Sequence, residues 1–139
     1  MALIGGAEFV SDWHARMPAI KGFALYAADP GRAPAMREAG VELVDGLDDL
    51  LASADIVVDC TPKKIAALIV KTYREKGIRF IVHGSEKHGV TGHSFVAETN
   101  YASAVGRDST RVVYCNTTSI VRTTAALGVG AFTADTPIR

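Results

Sequence analysis

The chain has 139 residues, of which 48% are apolar and 22% charged, and its fifteen basic residues balance fifteen acidic ones. That composition belongs to a globular domain rather than a disordered chain, and it leaves none of the basic footprint that nucleic acid or an anionic membrane surface requires. A small ligand or a protein partner stays open. The apolar runs Ile56 to Val58 and Ile65 to Val70 are broken by Asp59 and Lys71 long before a bilayer could be crossed, so no membrane span is expected. Met1 to Phe9 lacks the features of a secretory signal, and two cysteines are too few for a disulfide framework; the expected location is the reducing cytoplasm, with both thiols free.

In chain order, a strand is predicted at Gly22 to Ala28, followed by a short helix from Ala33 to Ala39 that Gly40 ends. A second helix covers Leu47 to Ala54, with Asp45 as its cap. The segment Ala54-Asp55-Ile56-Val57-Val58-Asp59-Cys60-Thr61-Pro62 reads as a short strand buried on both faces and closed by a polar turn. With Thr61 as N-cap and Pro62 at the first helical position, a helix then carries Ile65, Leu68, Ile69 and Tyr73 on one face until Gly77. Ile78 to Gly84 forms the next strand, and the intervening helix lets the two pair in parallel as a βαβ unit. A helix from Ser94 to about Val105, a strand from Thr110 to Cys115 and a helix from Asn116 to Leu127 follow; the tail after Gly128 has no clear period. Such alternation predicts an α/β fold with a mainly parallel sheet, and no linker divides it.

Cys115 ends a predicted strand and precedes Asn116-Thr117-Thr118, so a helix start would direct N–H groups and a partial positive charge at the sulfur, an arrangement that favours a nucleophilic thiolate. A small buried core residue is the competing reading. Cys60 also ends a strand before a helix, so placement alone does not separate the two; its apolar surroundings predict a desolvated thiol. The turn Gly84-Ser85, at the end of a parallel strand, is where open α/β sheets receive nucleotides. His14, His83, His88 and His93 do not form a recognised metal-ligand spacing, and no metal site is assigned. Asp48 with Asp49, and Glu86 with Lys87, read as solvated caps or loop faces.

The segment Arg111-Val112-Val113-Tyr114-Cys115-Asn116-Thr117-Thr118-Ser119-Ile120-Val121-Arg122-Thr123 resembles the active-site stretch of archaeal-type phosphorylating glyceraldehyde-3-phosphate dehydrogenases. The resemblance continues through Asp55 to Pro62, Gly84 to His88, Ser94-Phe95 with Asn100-Tyr101, and Asp12 to Arg16 with Lys21 to Phe23. It implies a Rossmann-like parallel sheet over residues 1–139, forming an incomplete nucleotide-binding domain that ends in the cysteine helix. Cys115 would be the catalytic nucleophile, with Tyr114 and Asn116 beside it in substrate binding. Gly84 and Ser85 would contact NAD or NADP. Met1 to Gly6 resembles the family's second strand; Glu8 follows it, where Rossmann folds place an acid on the adenosine ribose, and so favours NAD, although the family often carries a basic residue nearby. The substrates would be the aldehyde and inorganic phosphate, with no nucleic-acid or membrane partner, and full-length members of the family are commonly homotetramers.

The sequence has no G-x-G-x-x-G turn, and the resemblance ends shortly after the cysteine helix. The expectation is therefore a partial chain without the first strand's glycine-rich turn and without the histidine-bearing catalytic domain, inactive by itself. The alternatives are a non-catalytic interaction module built on the same fold, and a cysteine-dependent semialdehyde dehydrogenase of similar topology.

Overall fold

The computed structural model describes residues 2–5, 21–62, 64–83 and 86–126, the first four by their backbone alone. The chain divides into two compact units, Met1–Ala54 and Asp55–Arg139. Among the described residues the first holds a three-stranded sheet and the second a four-stranded one, and every strand pairing in both is parallel. The α/β parallel architecture expected from the sequence is thus what the structure has.

In the first unit β1 (Ala2–Gly5), β2 (Ala24–Ala27) and β3 (Leu43–Gly46) lie in that order. A single 3-10 turn, Pro30–Arg32, leads into α1 (Ala33–Glu38), and the Asp29 carboxylate starts it by accepting the Gly31 N–H at 2.9 Å. Gly40 ends α1 with a φ of 85°, a left-handed conformation that costs glycine nothing, while the Val41 N–H returns to the Met36 carbonyl at 3.0 Å. Leu25, Ala27, Met36 and Val41 form the core, with Ala33 and Leu43 packed against them. β3 has no counterpart among the predicted elements, because its few residues alternate too briefly to register. Asp45 accordingly sits inside this strand and does not cap the next helix. Its carboxylate takes the neighbouring Gly46 N–H at 3.0 Å, and Gly46 is the N-cap of α2 (Leu47–Ser53).

The second unit carries β4 (Ile56–Asp59), β5 (Arg79–Val82), β6 (Ser94–Phe95) and β7 (Ser109–Val112) in the order β4-β5-β7-β6. The predicted βαβ unit is present: α3 (Ala66–Glu75) connects β4 to β5, which pair from Ile56 opposite Arg79 to Asp59 opposite Val82. Ala66, Val70 and Tyr73 are the buried face of α3. The Tyr73 and Phe80 rings meet at 5.4 Å between centroids, and the Arg74 guanidinium lies 5.6 Å from the Phe80 centroid.

Two expectations about this unit are corrected. β4 is an end strand of its sheet, with Ile56 and Val58 more than half exposed and Asp59 buried, so it is not a strand covered on both faces. The helix after it begins at Ala66 instead of Pro62. Thr61 cannot cap it, because the Asp59 carboxylate holds both the Thr61 N–H (2.9 Å) and the Thr61 hydroxyl (2.6 Å). The chain instead turns once more, the Ile65 N–H closing on the Pro62 carbonyl at 3.0 Å.

The helix predicted from Ser94 is a short strand, β6, followed by α4 (Ala97–Ala104). Asn100 explains the difference. Its side chain accepts the Val96 N–H (2.9 Å) and donates to the Ser94 carbonyl (2.7 Å), which serves the extended segment, while its own backbone departs from helical geometry at φ −141°, ψ 33°. β7 stops at Val112, and α5 (Cys115–Ala126) takes the cysteine into its first turn.

Candidate functional site at the strand ends

Parallel strands place their C-terminal ends, and the loops that follow, along one margin of the sheet. In the second unit these loops start at Cys60, His83 and Val113. The His83 N–H donates to the Asp59 carbonyl at 2.7 Å, so the β4 and β5 ladder persists to the margin. Val113 is buried and anchors the β7 exit, while Tyr114 and Cys115 are exposed. The first bond of α5 runs from the Thr118 N–H to the Tyr114 carbonyl at 2.9 Å, which makes Tyr114 the cap residue. The N–H groups of Cys115, Asn116 and Thr117 therefore precede the first helical bond, and they carry the positive end of the helix dipole. The Cys115 thiol donates to the Asn116 side-chain oxygen at 3.7 Å. Tyr114, Cys115 and Asn116 thus stand consecutively at the start of a helix, open to solvent.

Cys60 is exposed too, contrary to the desolvated thiol expected of it. Its strand lies at the end of the sheet, with no strand of the second unit paired to its outer edge among the described residues. Gly84, Ser85 and Glu8, the expected cofactor contacts, and His14 lie outside the described residues.

The loop beyond β5 returns with two charged residues of opposite fate. Lys87 is exposed, but Glu86 is only 5% exposed, so it is not the solvated loop residue its sequence context implied. Its carboxylate accepts the backbone N–H of Lys64, and its carbonyl accepts from the Arg111 guanidinium at 2.8 Å. Arg111 also donates to the Ser94 hydroxyl at 2.8 Å, and that hydroxyl lies 2.9 Å from His88 Nδ1. Asp59 is spoken for as well: besides Thr61 it accepts the Tyr73 hydroxyl at 3.1 Å. Sequence reasoning passed over Glu86, Arg111 and Asp59 as site-shaping residues. Asp59 alone carried a signal, being an acid at the end of an apolar run.

His88 and His93 have structural partners. His93 is buried, with Nδ1 at 2.7 Å from the Thr110 hydroxyl and Nε2 at 2.9 Å from the Ser103 hydroxyl, so both ring nitrogens are engaged. Burial, then the charges of Arg107 and His88, push its pKa below the ordinary 6.5. Among the described residues no three histidine, cysteine or acidic side chains gather as a metal site would need. A groove of about 240 Å³ opens in the same unit, over Phe80, Phe95, Tyr101 and Val105 and beside Ile56, Arg79 and Ser109, the first residues of β4, β5 and β7. Cys115 is not part of its lining.

Parallel strands with helical crossovers, and a cysteine opening the helix beyond one strand end, define a partial Rossmann-like α/β protein. Comparison with known proteins names the type. The chain is 47% identical over 123 residues to the glyceraldehyde-3-phosphate dehydrogenase of Methanothermus fervidus, a match covering 88% of this chain and 36% of that protein. The corresponding figures are 44%, 88% and 36% for the enzyme of Methanothermobacter thermautotrophicus, and 40%, 91% and 38% for that of Thermococcus kodakarensis. No family model matches. Over the span it covers, this is an archaeal-type glyceraldehyde-3-phosphate dehydrogenase-like chain, and it spans little more than a third of the length of these relatives.

Proposed function

We propose that this chain serves the phosphorylating oxidation of D-glyceraldehyde 3-phosphate to 1,3-bisphosphoglycerate, an oxidoreductase activity using NAD or NADP, with Cys115 as the nucleophile. The observation that carries the reading is the exposed cysteine at the first residue of a twelve-residue helix that follows a parallel strand, in the context Tyr114-Cys115-Asn116-Thr117-Thr118. The Cys115 sulfur adds to the aldehyde carbon, giving a thiohemiacetal whose alkoxide oxygen can be met by the free N–H groups of the helix start. Loss of hydride from that carbon leaves a thioester on Cys115. Attack by inorganic phosphate releases the acyl phosphate and returns the thiolate. Tyr114 and Asn116 flank the nucleophile and orient the substrate.

A nicotinamide dinucleotide supplies the hydride acceptor when bound. The donor set at the strand ends suits its pyrophosphate, since Lys64 and Lys87 are exposed beside the β4 and β5 loops. Asp59 is already engaged with Thr61 and Tyr73 and presents no opposing free charge. Gly84 and Ser85 are proposed to approach the cofactor, with Glu8 at the adenosine ribose favouring NAD. The two free thiols accord with a reducing cytoplasm.

The reading is tested in the complete protein that contains this sequence, by following phosphate-dependent formation of NADH or NADPH from glyceraldehyde 3-phosphate. Cys115→Ser is expected to lower kcat by on the order of 10⁴-fold or more, the scale seen when a covalent nucleophile is removed. Turnover undiminished by Cys115→Ser would exclude the covalent route. Absence of turnover in the intact wild type would favour a non-catalytic module.

A further inference from the structure

We propose that Glu86 is a positioning residue for the nucleotide end of this site. Its buried carboxylate holds Lys64, and with it the loop beyond β4, in the shape that meets the cofactor. The inference rests on the function proposed above and adds to it a residue that contacts neither substrate nor cofactor.

Lys64 has a φ of 79°, and it is the one described non-glycine residue with positive φ. It occupies the third place of the turn that the Ile65 N–H closes on the Pro62 carbonyl, and turns with a left-handed residue at that place usually employ glycine or asparagine there. A lysine there is held against a local preference of about 1–2 kcal/mol, so something outside the turn must fix it. Glu86, 22 residues further on, is what the structure offers: its carboxylate accepts the Lys64 N–H. Glu86 is in turn fixed by the Arg111 guanidinium on its carbonyl, and Arg111 by Ser94 on β6. The other side of the loop is fixed by Asp59 through Thr61.

A carboxylate buried to this degree carries a desolvation cost that a mere solvated loop residue would avoid. What it secures is the placement of the Lys64 backbone and of the exposed Lys64 ammonium at the margin where strand ends receive a dinucleotide. The loop beyond β4 and the loop beyond β5 are thereby joined by a bond between a side chain and a backbone N–H, which survives changes of side chain at residue 64.

The test uses the complete enzyme and four variants: Glu86→Ala, Glu86→Gln, Lys64→Gly, and Glu86→Ala with Lys64→Gly. Two readouts are taken, hydrogen exchange at the Lys64 amide and the dissociation constant for NAD by direct titration. Glu86→Ala is expected to speed exchange at Lys64 and weaken NAD about tenfold, the loss of one charge-assisted hydrogen bond, with the KM for the aldehyde changed less than about twofold. Glu86→Gln, whose amide oxygen still accepts, should stay near wild type. Lys64→Gly is expected to weaken NAD by removing the ammonium, and adding Glu86→Ala in that background should weaken it little further, because glycine takes the turn conformation without Glu86 to hold it. Unchanged Lys64 exchange in Glu86→Ala, or faster exchange with unchanged NAD affinity, overturns the positioning role. A wild type that binds NAD but does not oxidise the aldehyde overturns the proposed activity while the Glu86 comparison remains readable; a wild type that binds no NAD overturns both.

Discussion

Cys60 and Cys115 occupy comparable places, each just beyond a parallel strand, and both are exposed. Access therefore does not discriminate between them, and both are expected to be alkylated by iodoacetamide in the folded chain. Peptide mass spectrometry of the native protein should find both labelled at neutral pH; a Cys60 that reacts only after unfolding would contradict the end-strand placement of β4. The reading of Cys60 as desolvated followed from the run Ile56 to Val58, which looks like a central strand when only composition is visible. Burial of a strand depends on its neighbours in the sheet, and no local pattern reports that. The position of Cys115 between a strand and a helix was legible from the pattern on its two sides, and the structure adds that Tyr114 is the cap and Cys115 the first helical residue.

At the scale of elements, the link between β4 and α3 shows how a buried acid overrides local preference. Thr61-Pro62 has the residues of a helix start, yet Asp59 takes Thr61 for itself and also accepts the Tyr73 hydroxyl from α3. Tyr73→Phe leaves packing nearly unchanged but removes one donor from a buried carboxylate, an expected loss of about 1–3 kcal/mol measurable as a lower urea midpoint. Burial, then the Asp59 charge, then the hydrogen bond to Asp59 raise the Tyr73 pKa far above 10.0. The folded chain thus holds the phenol proton more tightly than the unfolded one. The stabilisation is complete below about pH 10 and is lost as pH climbs towards the folded value. An alkaline unfolding profile should accordingly be flatter in Tyr73→Phe than in the wild type.

His93, between α4 and β7, has the opposite sign. Its pKa is lowered, so the folded state prefers the neutral ring; the associated stability is full above pH 6.5 and falls as pH drops below that value. His93→Gln, which keeps hydrogen-bonding capacity without the titration, should weaken the acid dependence of the unfolding midpoint below about pH 6.5. An unchanged slope would mean that the ring is solvated in the native state. Neither element boundary here was readable beforehand, since the Asn100 side chain that converts a predicted helix start into β6 acts through bonds to Val96 and Ser94, not through periodicity.

For the whole molecule, alternation of apolar strands and helices was enough to give the α/β parallel class, because crossovers of this length leave a parallel pairing as the economical solution. It could not report where one cluster of buried side chains ends and the next begins. Among the described residues, Leu25, Ala27, Met36 and Val41 cluster in the first unit, whereas the second buries the aromatic side chains Tyr73 and Phe80 with Ala66, Val70, Ile78 and Val82. Apolar area removed from water scales the stability of such clusters, at about 25 cal/mol per Å². The second unit should therefore resist opening more strongly than the first. Native-state hydrogen exchange tests this directly: the amides of Phe80 and Val82 are expected to exchange by the largest opening, and those of Leu25 and Ala27 through smaller ones, with less dependence on denaturant. Phe80→Ala, which deletes the ring facing Tyr73, is expected to cost about 3–5 kcal/mol and to collapse the protection of the second unit. If Leu25 and Ala27 instead exchange in step with Phe80 and Val82 across denaturant, the two clusters open as one cooperative body and the division at Ala54 has no thermodynamic counterpart.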